Sequence, residues 1–271
     1  MRSAQIFGCS VLLSALSCVS VCCVSVCCVP VCSAFEEFRI ETEVFVDNGK
    51  EPAVETVTIF AAGVVYDFLR TGVEEITMFD RDRNRLVLMD TQRKVKTELA
   101  LDSILAYVAQ MKTQLTENDQ EYLTGEEMQA TDGPDGWLAL SNGRVTYRAT
   151  GIAPKSKEAA VEYQQFADWY ARLNAMRRGN SPPFARIQLN SELAARGLVP
   201  KTVERTIVQK RGLQEKKQVL RSEHLANWRL SQSDRKLIDR AGGFLADFVD
   251  VPFREYVQLP EVATDPDAAR R

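Results

Sequence analysis

From Phe38 the chain alternates, with Phe38, Ile40, Thr42, Val44 and Val46 at every second position and Glu37, Arg39, Glu41, Glu43 and Phe45 between them. A period of two sends neighbouring side chains to opposite faces, so the spacing predicts a half-buried strand whose acids face water. A second strand through Val54, Thr56, Thr58 and Phe60 turns at Ala62-Gly63 and returns through Val64, Tyr66 and Phe68, the pattern of a hairpin. Strands at Glu75 to Phe79 and Arg85 to Asp90 are joined by Asp80-Arg81-Asp82-Arg83-Asn84, and a turn at Thr91-Gln92 leads into Lys94 to Leu99. The result is an antiparallel meander. In its last strand Val95, Thr97 and Leu99 alternate with Lys94, Lys96 and Glu98, which predicts one apolar and one wet face.

Near Asp102 the period changes. Leu101, Ile104, Leu105, Val108, Met111 and Leu115 recur at three- and four-residue spacing, an amphipathic helix that Asp102 can cap and that can cover the apolar face of the meander. Strands return at Trp137 to Leu140 and Val145 to Ala149, on either side of Asn142-Gly143, a strong hairpin signal. Between Ser156 and Arg178 a long helix carries Ala159, Tyr163, Phe166, Ala167, Tyr170, Leu173 and Met176 on one face, and Pro182-Pro183 prevents its continuation. A short helical piece near Ser191 to Arg196 precedes two strands, Thr202 to Gln209 and Gln218 to Leu225, with Gly212 at their turn. The last helix begins at Ser231, with Asp234 three residues on in a capping-box arrangement, and turns Leu237, Ile238, Ala241, Phe244, Leu245 and Phe248 inward.

These elements predict an α+β fold: a curved antiparallel sheet, built of a meander and hairpins, covered by three or four amphipathic helices. The expected domain is single and runs over 35–259. Within it, 117–135 holds seven acids and no basic residue and is expected to be an exposed connection, while 260–271 has little to bury and is expected to be a disordered tail.

Ahead of the domain, no charged residue lies between Arg2 and Glu36, a gap of 33 positions filled mainly by Leu, Val, Cys, Ser and Ala. Such a run belongs in a membrane or translocon, and its order is that of a signal peptide over 1–34: Arg2, an apolar body from Ile6, then small residues up to Ser33 and Ala34. It also exceeds the roughly 20 residues that span a bilayer, so a retained anchor is the alternative. Positive charge before the run and Glu36 and Glu37 after it orient both versions with the domain outside. The sequence thus predicts an exported protein, periplasmic or otherwise extracytoplasmic, that touches a membrane only through this segment.

All seven cysteines, Cys9, Cys18, Cys22, Cys23, Cys27, Cys28 and Cys32, fall inside that run. The domain beyond it therefore has neither disulfides nor thiolate metal ligands. Ala15-Leu16-Ser17-Cys18 and Val19-Ser20-Val21-Cys22 loosely resemble lipobox sequences, without the usual leucine three positions before the cysteine. Charge is uneven: Glu36 to Glu75 holds ten acids against Arg39, Lys50 and Arg70, and Lys201 to Arg221 holds seven basic residues against Glu204 and Glu215. The basic stretch reads as the solvated face of a hairpin or as a patch for an anionic polymer or lipid headgroup, and the overall balance argues against nucleic acid as a partner.

Candidate chemistry is sparse. His224 is the single histidine, placed in a predicted strand as Ser222-Glu223-His224, where neighbouring side chains point to opposite or offset faces rather than pairing as nucleophile and base. The expectation is a hydrogen-bonded strand residue beside Trp228. Asp80, Asp82 and Asn84 match the first liganding positions of a calcium loop, but Arg85 stands where glycine is needed and Thr91 where a glutamate is, so a polar turn is expected. Asp132 and Asp135 are likewise turn formers before they are ligands. There is no glycine-rich phosphate loop, nucleophile elbow or zinc-protease helix. No catalytic residue, metal or cofactor is assigned. The aromatic stripe of Tyr163, Phe166, Trp169 and Tyr170 is the candidate lining of a pocket for an apolar ligand, and core packing is its other reading.

The order of elements, a meander with amphipathic helices lying in the concavity of its sheet behind a signal peptide, resembles the half-barrels of periplasmic lipoprotein carriers. That likeness covers layout over 35–250 and rests on no motif. Val65-Tyr66-Asp67-Phe68-Leu69 with Arg85-Leu86-Val87-Leu88-Met89-Asp90, and Phe166-Ala167-Asp168-Trp169-Tyr170, more closely resemble uncharacterised exported bacterial proteins, which carry no activity over. Three functions follow: a non-catalytic envelope or periplasmic binding module for an apolar small molecule, a cell-envelope scaffold that contacts other envelope proteins, and a carboxylate-dependent hydrolase.

Overall fold

Residues 36–114, 128–177, 182–211 and 214–258 are described by a computed structural model, the side chains of 135 and 209–215 excepted. The expected signal or anchor segment with its cysteines, most of the acidic connection, Gly212 and the tail lie outside the described residues. Six strands follow one another as the predicted meander: β1 (Phe38–Val46), β2 (Val54–Ala61), β3 (Val64–Leu69), β4 (Glu75–Asp80), β5 (Arg85–Asp90) and β6 (Val95–Ala100). Helix α1 (Leu101–Gln114) leads to β7 (Gln129–Asp132), β8 (Leu138–Ser141) and β9 (Val145–Ile152). Then come α2 (Lys157–Ala175), α3 (Phe184–Ala195), β10 (Val199–Arg211), β11 (Gln214–Asn227), α4 (Gln232–Asp247), β12 (Val249–Asp250) and α5 (Phe253–Tyr256).

The strands form one curved, open sheet of 12 in the order β12-β6-β5-β4-β3-β2-β1-β11-β10-β9-β8-β7, antiparallel except where β12 runs parallel to β6. The α+β class expected from the sequence is the class observed. A two-residue turn joins β2 to β3 through Ala62 and Gly63, with φ of 50° and 78°, the left-handed pair that a two-residue hairpin with right-handed strands requires.

Two layers of side chains explain why the meander holds. On one face Phe38, Phe60, Val65, Phe79, Leu86 and Leu99 are cross-strand partners in unbroken sequence, and α2 lays Tyr163, Phe166 and Leu173 over them. On the other, Val57, Phe68, Ile76 and Met89 form a parallel row with Ile59, Met78 and Val87 beside it, covered by Ala241, Phe248 and their neighbours on α4. The central strands are thus buried on both sides, where simple alternation predicts one wet face. β2 shows why in its own sequence: Thr58, Ile59, Phe60 and Ala61 are all buried, and Thr58 tolerates this because its hydroxyl has a partner. A third cluster packs α3 against β8 to β10 through Leu140, Tyr147, Ala149, Leu189, Leu193 and Val203.

Several boundaries differ from the sequence expectation. The short helix expected at Ser191 to Arg196 starts at Phe184, with Pro183 at its N-cap, where the fixed φ of proline suits the entry to a helix. Asp102 lies in the first turn of α1 rather than ahead of it, where its charge still favours the helix N-terminus. Part of the expected acidic connection is β7, an edge strand, followed by a 3-10 turn at Pro134–Gly136. β12 and α5 were not foreseen at all; two and four residues long, they carry too little sequence to show a period.

Candidate functional site

Three polar constellations occupy the sheet face beneath α2. One of them borders open space.

That space is a cleft of about 880 Å3 at the end of the sheet where β4 begins and β5 ends, within the roughly 300 to 1,000 Å3 typical of small-molecule sites. Four separate stretches of chain wall it: Val73 and Glu75 at the start of β4, Asp90, Gln92 and Arg93 at the end of β5, Met176 and Arg177 just past α2, and Phe253, Arg254, Tyr256, Val257 and Gln258 on and after α5. Its polar framework is knitted together. Glu75 and Asp90 are cross-strand partners and so sit side by side. Glu75 accepts from Arg177 Nη2 at 2.5 Å and from the Tyr256 hydroxyl at 3.0 Å, while Asp90 Oδ2 accepts from Arg93 Nε at 2.8 Å. Arg93 reaches on to donate to the Tyr256 carbonyl at 2.6 Å and lies over the tyrosine ring, 5.2 Å from its centroid.

These pairs fix the charge states. Burial and the Glu75 carboxylate hold the Tyr256 phenol far above its ordinary pKa. Burial works against the charge of Arg177, yet Glu75 more than compensates and raises its pKa. Burial likewise opposes ionisation of Asp90, and the hydrogen bonds from Arg93 overcome it and hold the carboxyl below its usual range. Two adjacent carboxylates in a cleft suggest acid/base hydrolysis, but each here is ion-paired to its own arginine, which suits a fixed framework better than proton transfer.

The second constellation is buried in the sheet. Asp67 on β3 is 4 % exposed; its Oδ1 accepts from Thr58 Oγ1 at 2.6 Å, and the Tyr170 and Thr56 hydroxyls also reach it. Burial pushes its carboxyl up to about 6, against those hydrogen bonds. No ion pair is seen for it among the described residues, and the neighbouring Glu75 adds to the rise.

His224 is the centre of the third. Its Nδ1 lies 3.0 Å from Thr42 Oγ1 on the adjacent strand and its Nε2 lies 2.9 Å from Ser222 Oγ. Ser222 and His224 are two positions apart, so they share a face of β11, and the expectation that they point apart is corrected on that ground. Even so, this is not an activated nucleophile. The group on the far side of the imidazole is a neutral threonine, and burial, with Arg186 nearby, lowers the histidine to about 3, so an imidazolium intermediate is disfavoured. Arg186 is itself built into the helices, through Nε to Asn190 Oδ1 at 3.0 Å, and Asn190 Nδ2 donates to Asp168 at 2.8 Å.

As for the aromatic stripe, Tyr163 and Phe166 are buried in the core, Phe166 edge-on to Phe60 at 5.9 Å between ring centroids. Trp169 and Tyr170 are partly buried against the same cluster, Trp169 beneath Arg172 and Tyr170 against Phe166 and Asp67. Beside Phe60 and Phe79 the space left under α2 is about 20 Å3, room for roughly one water. The larger volume lies past the C-terminal end of the same helix. Asp80, of the calcium-like stretch, accepts from Arg83 and pairs with Arg83 and Arg85, and among the described residues no group of three or more metal-ligating side chains converges. No described helix is long and apolar enough to cross a membrane.

None of the cleft residues was singled out from the sequence. The one available signal was the cluster of Phe253, Tyr256 and Val257 after the last long helix, apolar residues too few for a core of their own. Compared with known protein families and with curated proteins, the chain matches none.

Proposed function

We propose that this protein is exported and acts outside the cytoplasm as a non-catalytic binding module, with a small molecule of apolar body held in the cleft between β4, β5, the end of α2 and α5. The carrying observation is the cleft itself: about 880 Å3, with Val73 and Val257 exposed to it at 47 % and 40 % and Met176 and Phe253 alongside, over a polar floor whose charges are already paired. Large apolar side chains left open to water beside a rigid polar framework are the usual composition of a ligand pocket. Export is supported by the uncharged 33-residue run and by confinement of every cysteine to it. The resemblance of the element order to periplasmic carrier half-barrels is in keeping with this reading, as analogy only.

Uptake of the neutral, environment-sensitive dye N-phenyl-1-naphthylamine tests it. The protein is expected to enhance the dye's fluorescence saturably, and Phe253→Ser to abolish the enhancement with the fold intact. Dye that never partitions into the protein, or that binds Phe253→Ser equally well, would refute the cleft as the site.

A further inference from the structure

The charges of the cleft decide which kind of apolar molecule fits it. Five ionisable side chains other than tyrosine line the space, and four cancel in pairs, Glu75 with Arg177 and Asp90 with Arg93. The fifth, Arg254, is exposed and has no ion pair among the described residues. Within the framework the buried Nε of Arg177 also has no hydrogen-bond acceptor among the described residues. Among the described lining residues the surplus is therefore one positive charge, in a cleft that Gln92 and Gln258 also line, with apolar wall from Val73, Met176, Phe253 and Val257.

We propose that the ligand is a single-chain amphiphile with one anionic group, a carboxylate or a phosphate, whose head pairs with Arg254 while its chain lies along Val73, Met176, Phe253 and Val257. This rests on the reading of the same cleft as a binding site and adds the sign and place of the head. A guanidinium recognises either oxyanion through two parallel N–H donors, so both sources of the anion share one chemistry. An uncharged head adds no ion pair to Arg254, and a cationic head meets repulsion from it. Asp90 and Glu75 do not reverse this preference, because each is already neutralised by its arginine.

Isothermal titration calorimetry of the full chain with dodecanoate, dodecyl phosphate, dodecanol and dodecyltrimethylammonium, all below their micelle concentrations, tests it. At least one of the two acids is expected to bind tenfold or more tightly than dodecanol, the cation more weakly still, and whichever acid leads identifies the head. Arg254→Gln is expected to bring the acid down to the level of dodecanol while dodecanol binding is unchanged; the exposed position of Arg254 makes that variant safe for folding. Dodecanol binding as well as both acids, or an acid preference that survives in Arg254→Gln, overturns the anionic head and leaves the binding site standing. If no chain binds, the site and the head fall together.

Discussion

Burial in the fold disfavours the ionised form of Asp67. Its carboxyl has an ordinary pKa of 3.8 and a folded-state value near 6, so its contribution to stability is greatest below about pH 4 and is lost as pH rises through 6, by about 3 kcal/mol in all. Asp67→Asn keeps an acceptor for Thr58 and removes the charge. It is expected to raise stability at pH 7.5 by about 1 to 3 kcal/mol in urea unfolding; a marked loss would mean that the carboxylate is needed as an ion. His224 has the opposite sign. Lowered from 6.5 to about 3, it contributes stability that is fully present above 6.5 and drains away as pH falls toward 3, on the order of 5 kcal/mol. Because it is the single histidine, its ring resonances in an NMR titration are unambiguous. They are expected to stay in the neutral position down to pH 5, and an inflection near 6.5 would show an exposed, ordinary imidazole. Neither environment is legible in the sequence. Asp67 alternates with apolar residues just as a solvent-facing acid would, and only the arrival of α2 above it makes the position interior.

At the scale of elements, α4 shows what a sequence writes plainly. Ser231 and Asp234 form the capping box that their spacing predicts, with Asp234 N donating to Ser231 Oγ at 3.1 Å and Ser231 N to Asp234 Oδ2 at 2.7 Å. Asp234 also accepts from Arg39 Nη1 on β1 at 2.9 Å, which ties the helix to the sheet it covers. Ser231→Ala is expected to cost about 1 kcal/mol and Asp234→Ala more, measured as a shift in urea midpoint, with ligand binding unaffected because the cap lies outside the cleft. Equal costs for the two would contradict the second role of Asp234. Helices and hairpins with a clear period and a cap are legible in this way. The exceptions are instructive: the start of α3 hides behind a proline pair that reads as a stop, and the two-sided burial of β2 to β4 is masked because Thr58, Asp67 and Thr77 look like water-facing positions and are instead buried.

On the whole molecule, folding and binding are assigned to different ends of one sheet face. Tyr163 and Phe166 hold the centre, and Phe166→Ala is expected to cost about 3 to 5 kcal/mol, whereas Phe253→Ser, whose ring is only partly buried against the same cluster, is expected to cost less than that and to remove ligand uptake. From the sequence the centre shows as an aromatic stripe with two readings, the lining of an apolar pocket and core packing. The cleft does not show there, since Val73, Asp90, Arg177 and Tyr256 come from four stretches far apart in the chain, and only the sheet register and the short α5 bring them together. Hydrogen exchange over the full chain, with and without saturating dodecanoate, separates the two ends most directly. Slowed exchange is expected at 73–75, 90–93, 176–177 and 253–258 and unchanged exchange under Tyr163 to Tyr170; protection centred on Tyr163 to Tyr170 instead, with the cleft segments untouched, would contradict the account.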